Sequence, residues 1–171
     1  SDHAPSVQEL KSNLHRMQRG FRPGTQAGSK SSAKDIASTG IVGLDRILPA
    51  QGLLKGALSE WVATEPGSGA VSLAMRVASQ VQQGRTLILV DQFRQFYAPA
   101  IQSLGVCLAE TILVRPATQS DALWVLEQSL RCPGVGAVLC QLDRLTTQQF
   151  RRLQLAAESG TAIGMLIRPA V

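Results

Sequence analysis

A strand, a glycine-rich loop and a helix follow one another between Ala57 and Leu73, and this succession restricts the fold more than any other part of the sequence. Residues 57–63 (ALSEWVA) have the composition of a strand, and a helical pattern begins at about residue 69. The intervening loop contains proline, serine and two glycines. An α/β protein places a phosphate-binding loop at such a junction, because the free backbone N–H groups of a helix N-terminus attract anions.

The rest of this region continues the alternation of strands and helices. The segments 86–91 and 136–141 are apolar with almost no alternation, which is typical of strands covered on both faces. Alternation of this kind predicts right-handed βαβ units and a mostly parallel sheet. The predicted strands are 57–63, 86–91, 111–114, 136–141 and 161–167, the predicted helices are 69–83, 95–104, 120–131 and 147–159, and the predicted glycine stops of three of these helices are Gly84, Gly105 and Gly160.

The loop lacks the residues that would handle a phosphate. A working loop reads G-x-x-x-x-G-K-[ST], and an alignment on Gly69 puts Thr64 at the first glycine, Ala70 at the lysine and Val71 at the hydroxyl. Ala70 supplies no cation and Val71 supplies no oxygen for Mg²⁺. We therefore expect no catalytic residue, cofactor or metal, and an ordinary turn is favoured over residual anion binding or hydrolysis. The degenerate loop comprises Thr64, Glu65, Pro66, Gly67, Ser68, Gly69, Ala70 and Val71.

The second half of a nucleotide site is also incomplete. The acid that would follow the buried strand 136–141 falls on Gln141. Asp143 lies two residues further on, and its more economical interpretation is a surface acid or a helix start. Thr146 and Gln149 have the spacing of a capping box for the last helix.

Composition indicates a globular protein with its own core. Hydrophobic residues make up 44% of the 171 residues, and no apolar run approaches the ~20 residues of a membrane helix. No signal peptide opens the sequence, so a cytoplasmic location without membrane contact is the expectation. Cys107, Cys132 and Cys140 form no close pair, which predicts small apolar residues in a reducing compartment and no zinc site.

A helical arm is predicted ahead of this core. Ser6 and Glu9 fit a capping box, and an apolar stripe follows at helical spacing. We expect an arm at 1–22, a flexible linker at 23–37 and the core at 38–171. The stripe would pack on its own core or dock on another subunit or partner, and its candidate partner-binding residues are Val7, Leu10, Leu14 and Met17.

Positive charge is concentrated at this end of the sequence. The formal net charge is +5, and residues 1–35 hold six Lys/Arg against three acids. Aromatic residues are only 4% of the total, which leaves little material for stacking on bases. We therefore expect weak, salt-sensitive DNA binding at most. The candidate residues for it are Lys11, Arg16, Arg19, Arg22, Lys30 and Lys34.

Five residues of the core complete the set of candidates. Arg144, Arg151 and Arg152 form a basic group that is either a solvated helix face or a partner-binding surface. Trp61 is expected in the core or in support of the loop. Trp124, in the predicted helix 120–131, is expected to pack against the sheet.

The segment upstream of the loop carries a family resemblance. Residues 38–57 read STGIVGLDRILPAQGLLKGA, and this resembles the S-T-G-x-x-x-L-D signature and Gly-Leu-x-x-Gly turn that lead into the loop of RecA-family proteins. The resemblance extends to about Arg168. Two families share such a core with a decayed nucleotide site, ImuA and SulA. Residues 145–169 are similar to both, whereas residues 38–57 and the arm are similar to ImuA alone.

The resemblance to ImuA implies a three-layer α/β RecA-like core with a mostly parallel sheet, preceded by an N-terminal helix and flexible linker. It implies a non-catalytic accessory protein in SOS-induced translesion DNA synthesis that binds a Y-family-like polymerase subunit, with RecA and a second copy of the chain as further partners. A SulA-like inhibitor of cell division, binding the tubulin-like division protein, is the alternative. The catalytic glutamate of RecA falls on Phe93, and neither RecA DNA-binding loop has a counterpart in residues 142–146 or after residue 167.

Overall fold

A computed structural model of the chain describes residues 36–65, 67–82 and 84–170. The predicted arm, most of the predicted linker and Pro66 lie outside these residues. The described helices are α1 (Val42–Ile47), α2 (Ala70–Gln82), α3 (Ala98–Ser103), α4 (Gln119–Arg131) and α5 (Thr147–Ser159). The strands are β1 (Ile36–Ala37), β2 (Leu53–Leu54), β3 (Leu58–Ala63), β4 (Thr86–Val90), β5 (Thr111–Val114), β6 (Val135–Gln141) and β7 (Ile163–Pro169).

A five-stranded sheet with the order β3-β7-β6-β4-β5 is the centre of the structure, and every pairing within it is parallel. The all-parallel pairing follows from the helices that connect the strands, since a parallel strand can be reached only by a crossover. β6 is buried from Val135 to Cys140, as its continuous apolar sequence predicts. The α/β fold with a mostly parallel sheet is confirmed.

Helices cover both faces of the sheet and divide the core in two. On one face, α2 and α3 pack against alternate strand residues such as Leu87, Leu89 and Met165. On the other face, α4 and α5 pack against the intervening residues, such as Ile88 and Val138. The period of two in a strand sends neighbouring side chains to opposite faces, so the three layers follow directly from the strand sequences. We call these the α2 face and the α4 face.

A small hairpin precedes the sheet. β1 pairs antiparallel with β2, so that Ile36 lies opposite Leu54. Along the sequence, α1 is part of the segment that connects the two strands. β1 comprises the last two residues of the predicted linker. Ile41 and Leu44 pack against the core of the α2 face, which ties this short segment to the sheet.

The three glycines predicted as helix stops have two different roles. Gly84 and Gly105 adopt left-handed backbone, with φ of 75° and 92°, which glycine tolerates best. Gly160 ends α5 with an ordinary φ of −112°. A Cβ at Gly160 would collide with the backbone carbonyl oxygen of Leu130 at the end of α4. Gly160 therefore permits the close approach of two chain segments.

Among the helices of the described ranges, none is both long and apolar enough to cross a bilayer.

Candidate functional site

The glycine-rich loop joins β3 to α2 in the position expected for a phosphate-binding loop. β3 ends at Ala63 and α2 begins at Ala70. Gly67 and Gly69 have φ of 83° and 82°, and a Cβ at either would meet open space. These glycines are needed for their left-handed backbone and not for lack of room.

The side chains at the lysine and hydroxyl positions of this loop supply neither a cation nor an oxygen. Ala70 and Val71, at the lysine and hydroxyl positions, are half-buried, and Val71 packs against the core of the α2 face. Ser72 is exposed one position later. A hydroxyl at Ser72 is displaced by about 100° around the helix from position 71, because an α-helix has 3.6 residues per turn.

A cavity of about 610 Å³ opens beside the loop. Its charged lining residues are the acids Glu65 and Asp143 and the cation Arg168. Arg168 is already paired, since its Nη1 lies 2.7 Å from Oε1 of Glu60. Since the arginine is neutralised by Glu60, the two acids give the cavity lining a net negative charge, which repels a polyphosphate. This geometry disfavours nucleotide binding for a reason beyond the missing lysine.

The residues after β6 close the opposite side of the same cavity. Gln141 ends the strand and lines the cavity, and Asp143 is exposed there. α5 begins after Asp143, with Thr146 as its N-cap. The predicted capping box is present, because Thr146 Oγ1 accepts from the backbone N–H of Gln149 at 3.2 Å and the Gln149 side chain accepts from the backbone N–H of Thr146 at 2.9 Å. Asp143 is therefore a surface acid on the cavity and takes no part in starting the helix.

A buried carboxylate organises the turn after β4. Asp91 is 3% exposed and accepts hydrogen bonds from the backbone N–H groups of Gln95, at 2.7 Å, and Phe96, at 3.3 Å. Arg115 Nε lies 3.5 Å from the same carboxylate. Phe93, at the position of the catalytic glutamate, is an exposed member of this turn. Asp91 thus has a structural task, and the side chain at 93 has no acid–base chemistry.

The S-T-G-x-x-x-L-D signature forms a hydrogen-bonded turn at the start of α1, in which Ser38 and Thr39 donate to Asp45. We call this the Asp45 turn. Asp45 Oδ2 accepts from Ser38 Oγ at 2.6 Å, and Asp45 Oδ1 accepts from the hydroxyl of Thr39 at 2.6 Å and from its backbone N–H at 2.9 Å. The Ser38 and Thr39 side-chain hydrogen bonds, in that order, lower the pKa of Asp45. Thr39 is fully buried. These contacts give the signature a structural role in the turn before α1.

The basic group is divided by the structure. Arg144 and Arg152 line a groove between α4 and α5, together with Trp124, Leu123 and Leu145; we call this the outer groove. Arg151 lies outside that lining and its Nη1 is 3.2 Å from Oε1 of Gln154. The expectation that Trp124 packs against the sheet is wrong, since its side chain is 63% exposed. α4 turns Ala122, Leu126 and Leu130 towards the sheet, which leaves Trp124 on the outer side of the helix.

Trp61 and the cysteines have ordinary surroundings. Trp61 packs against the core of the α2 face, and its Nε1–H donates to Ser59 Oγ at 3.0 Å. Cys140 is buried in the sheet, and loss of solvation raises the pKa of its thiol to about 12. Cys107 and Cys132 are exposed. Within the part of the chain that the structure covers, no three His, Cys, Asp or Glu side chains are grouped to hold a metal ion.

Comparison with known proteins supports the resemblance. No family model matches the chain. RecA from Delftia acidovorans is 30% identical over 135 residues, which are 76% of this chain and 36% of RecA. ImuA from Caulobacter vibrioides is 25% identical over 148 residues, which are 83% of this chain and 60% of ImuA. The chain therefore spans between about a third and three fifths of the length of these curated relatives.

A solved structure shares the fold. The crystal structure of SulA from Pseudomonas aeruginosa superposes with a TM-score of 0.58 at 20% sequence identity, covering 66% of this chain and 98% of that one. At this identity the likeness concerns the fold alone. A RecA-like α/β core with distant sequence similarity to ImuA and RecA, and with a fold shared with SulA, is thereby established.

Proposed function

We propose that this chain, a RecA-like protein with ImuA among its relatives, is a non-catalytic accessory protein of SOS-induced translesion DNA synthesis in the cytoplasm. Its partners in this proposal are a Y-family-like polymerase subunit and RecA, with self-association through the N-terminal arm as a further contact. The chain contributes binding surfaces, and the chemistry belongs to its partners.

The observation that supports the proposal is a glycine-rich loop at the strand–helix junction that lacks the lysine and hydroxyl of a phosphate loop. Gly67 and Gly69 adopt left-handed backbone in this loop, and Ala70 and Val71 stand at the positions of the lysine and the hydroxyl. The cavity beside it presents Glu65 and Asp143. Phosphoryl transfer depends on positioning and on neutralising charge, and neither is available here.

Two observations favour an ImuA-like role over a SulA-like one. Sequence similarity to ImuA covers 83% of the chain, whereas the likeness to SulA is one of fold at 20% identity. The Asp45 turn, formed by Ser38, Thr39 and Asp45, belongs to a segment that resembles ImuA and RecA but not SulA. The SulA-like alternative predicts binding to the tubulin-like division protein.

Calorimetric titration with ATP and Mg²⁺ tests the loss of nucleotide handling. We expect no binding at micromolar nucleotide, with RecA titrated in parallel as the positive control. A dissociation constant in the low micromolar range or better, abolished by Gly69→Val, would contradict the proposal.

Co-expression tests the accessory role. A tagged copy of the full chain is co-expressed with the Y-family-like polymerase subunit, with RecA or with the tubulin-like division protein of the same cell, and each pair is co-purified. We expect a stable pair with the polymerase subunit. Co-purification with the division protein alone would replace the proposal by the SulA-like alternative.

A further inference from the structure

The outer groove carries an aromatic side chain and uncompensated positive charge on the α4 face, away from the degenerate loop. Trp124 is exposed on the outer side of α4, and Leu123 and Leu145 supply apolar walls. Monomeric surfaces seldom leave a tryptophan this open, and tryptophan and arginine are the residues most often found at the energetic centres of interfaces.

The groove has a net positive charge because Glu127 is already shared by two arginines and Arg144 has no acidic partner in the part of the chain that the structure describes. Glu127 Oε2 lies 2.6 Å from Arg152 Nη2, and Glu127 Oε1 lies 3.1 Å from Arg131 Nη2. Arg144 has no carboxylate within 4 Å among the described residues. Among the residues that line the groove, one acid, Glu127, stands against two arginines, Arg144 and Arg152, which leaves a net charge of +1. Acidic groups of a partner segment would complement this surface, above all at Arg144.

Hydrogen bonds tie the loop that carries Arg144 to both helices of the groove. Gln119 Nε2 donates to the backbone carbonyl oxygen of Arg144 at 2.7 Å, which fixes the loop between β6 and α5 against α4. The capping box of Thr146 and Gln149 fixes the following turn. A preformed site avoids the cost of ordering loops on binding.

The charge also argues against the chain's own N-terminal arm as the occupant. Residues 1–22 contain Lys11, Arg16, Arg19 and Arg22 against Asp2 and Glu9, so their net charge is +2, of the same sign as that of the groove. Charges of the same sign repel each other, so an acidic segment is electrostatically the better match for this surface.

We propose that the outer groove binds an acidic segment of a partner protein, with a large apolar side chain of that segment seated on Trp124 and its carboxylates paired with Arg144 and Arg152. The inference deepens the proposed accessory role by naming the surface that holds a partner and the chemistry of the segment it takes.

Nuclear magnetic resonance of the full chain labelled with ¹⁵N provides the test. The probe is a short synthetic peptide in which aspartates and glutamates flank a Phe-Leu pair. The chain has two tryptophans, so its spectrum has two indole N–H signals, and Trp124→Phe assigns them. The peptide should move the Trp124 signal and leave that of Trp61, which is bonded to Ser59 on the α2 face, in place.

Variants then test the two halves of the interaction by fluorescence anisotropy with the labelled peptide. Trp124→Ala and Arg144→Glu should each weaken binding by about tenfold or more. The matched controls on the other side of the sheet are Tyr97→Ala, an aromatic side chain that is also exposed, and Arg46→Glu. They should leave binding within about twofold. Peptides with alanine for the Phe-Leu pair or lysine for the acids should not bind.

Several results would overturn the inference. They are an acidic peptide that fails to bind, one that binds without moving the Trp124 signal, and a single-stranded oligonucleotide that moves this signal at lower concentration than the peptide does. A Trp124 signal that shifts with protein concentration would assign the groove to a second copy. A Trp124 signal that moves in the full chain carrying Leu10→Asp and Leu14→Asp would assign it to the arm.

The same variants separate this inference from the accessory role. If the polymerase subunit co-purifies equally with wild type and with Trp124→Ala, the accessory role is supported and the assignment of the outer groove is wrong. If the peptide binds at Trp124 and the polymerase subunit never co-purifies, the outer groove is supported as a binding surface and the accessory role is rejected.

Discussion

Thr39 binds Asp45 twice, through its hydroxyl at 2.6 Å and its backbone N–H at 2.9 Å, and both bonds reach the same carboxylate oxygen. Ser38 occupies the other oxygen. The carboxylate holds together the turn that precedes α1, and α1 in turn packs against the core of the α2 face through Leu44.

Removal of this carboxylate should loosen the whole leading segment. Asp45→Ala leaves the buried hydroxyl of Thr39 and its backbone N–H without their acceptor, so the free energy of unfolding should fall by about 1–3 kcal/mol. Urea denaturation followed by circular dichroism measures the change. Asp143→Ala is the control, because Asp143 is an exposed acid and its loss should change stability by less than about 0.5 kcal/mol. An Asp45→Ala protein as stable as the Asp143→Ala protein would show that the hydrogen bonds to Asp45 do not contribute to stability.

The contribution of Asp45 to the free energy of unfolding depends on pH in a definite direction. The hydroxyls of Ser38 and Thr39 lower the pKa of Asp45 in the folded protein. In the unfolded chain the pKa of an aspartate is about 3.9. The stabilisation is therefore fully present above the unfolded pKa and is lost as the pH falls through the folded pKa. The stability gap between wild type and Asp45→Ala should be constant from neutral pH to about pH 5 and should shrink below about pH 4. A gap that widens on acidification would contradict the assigned hydrogen bonds.

Gln82 joins the end of α2 to the segment that leads into β5. It is 2% exposed, its Nε2 donates to the carbonyl oxygens of Cys107 and Glu110 at 3.0 and 3.1 Å, and its Oε1 accepts from the backbone N–H of Cys107 at 3.1 Å. Gln82→Ala should lower the free energy of unfolding by about 2–3 kcal/mol, because buried backbone groups lose their partners. Gln102→Ala, at an exposed position of α3, should lower it by less than about 0.5 kcal/mol.

The contact between Gly160 and Leu130 predicts a steric effect that does not depend on backbone strain. Gly160→Ala forces the end of α5 away from α4 and should cost about 1–3 kcal/mol. Gly134→Ala is the matched control, since a Cβ there would meet nothing within 4 Å. Thermal unfolding of both variants compares them directly. Equal melting temperatures would show that the chain relaxes around the added methyl group.

DNA binding, if it is measured, should reside in the basic residues ahead of the core. Changing Lys11, Arg16, Arg19 and Arg22 to glutamine in the full chain should abolish the weak binding of single-stranded DNA, and wild-type binding should fall steeply as salt is raised. Anisotropy of a labelled oligonucleotide measures both. Arg144→Gln with Arg152→Gln is the control pair. Loss of DNA binding in the control pair alone would move the DNA surface to the outer groove.

Periodicity was sufficient to locate the main elements, and the departures have physical causes. The helix predicted at 95–104 begins only at Ala98, because Asp91 binds the backbone N–H groups of Gln95 and Phe96 and holds them in a turn. The hairpin of β1 and β2 was missed, since strands of two residues have no readable period and depend on each other for pairing.

Trp124 shows why the site was harder to predict than the fold. Its adjacent residues, Leu123 and Val125, are also apolar, and this apolar run favours a buried tryptophan. The residues at helical spacing, such as Asp121 and Glu127, are polar and indicate the outer side of α4. Ala122, Leu126 and Leu130 form the buried stripe, and only the packing of α4 against α5 reveals that Arg144 and Arg152 share a groove with the tryptophan. The position of the loop between a strand and a helix, in contrast, was predicted from the sequence and is confirmed by β3 and α2.

The order of the strands has a consequence for how the chain acquires its structure. β7, the last strand along the sequence, lies between β3 and β6, and Ser59 Oγ on β3 donates to the carbonyl oxygen of Gly164, 105 residues later. During synthesis, β3 has no neighbour in the sheet until β7 has left the ribosome. Pairing over such separations is slow, so β3 stays unpaired from its own synthesis until that of β7, and the native strand order is completed only then.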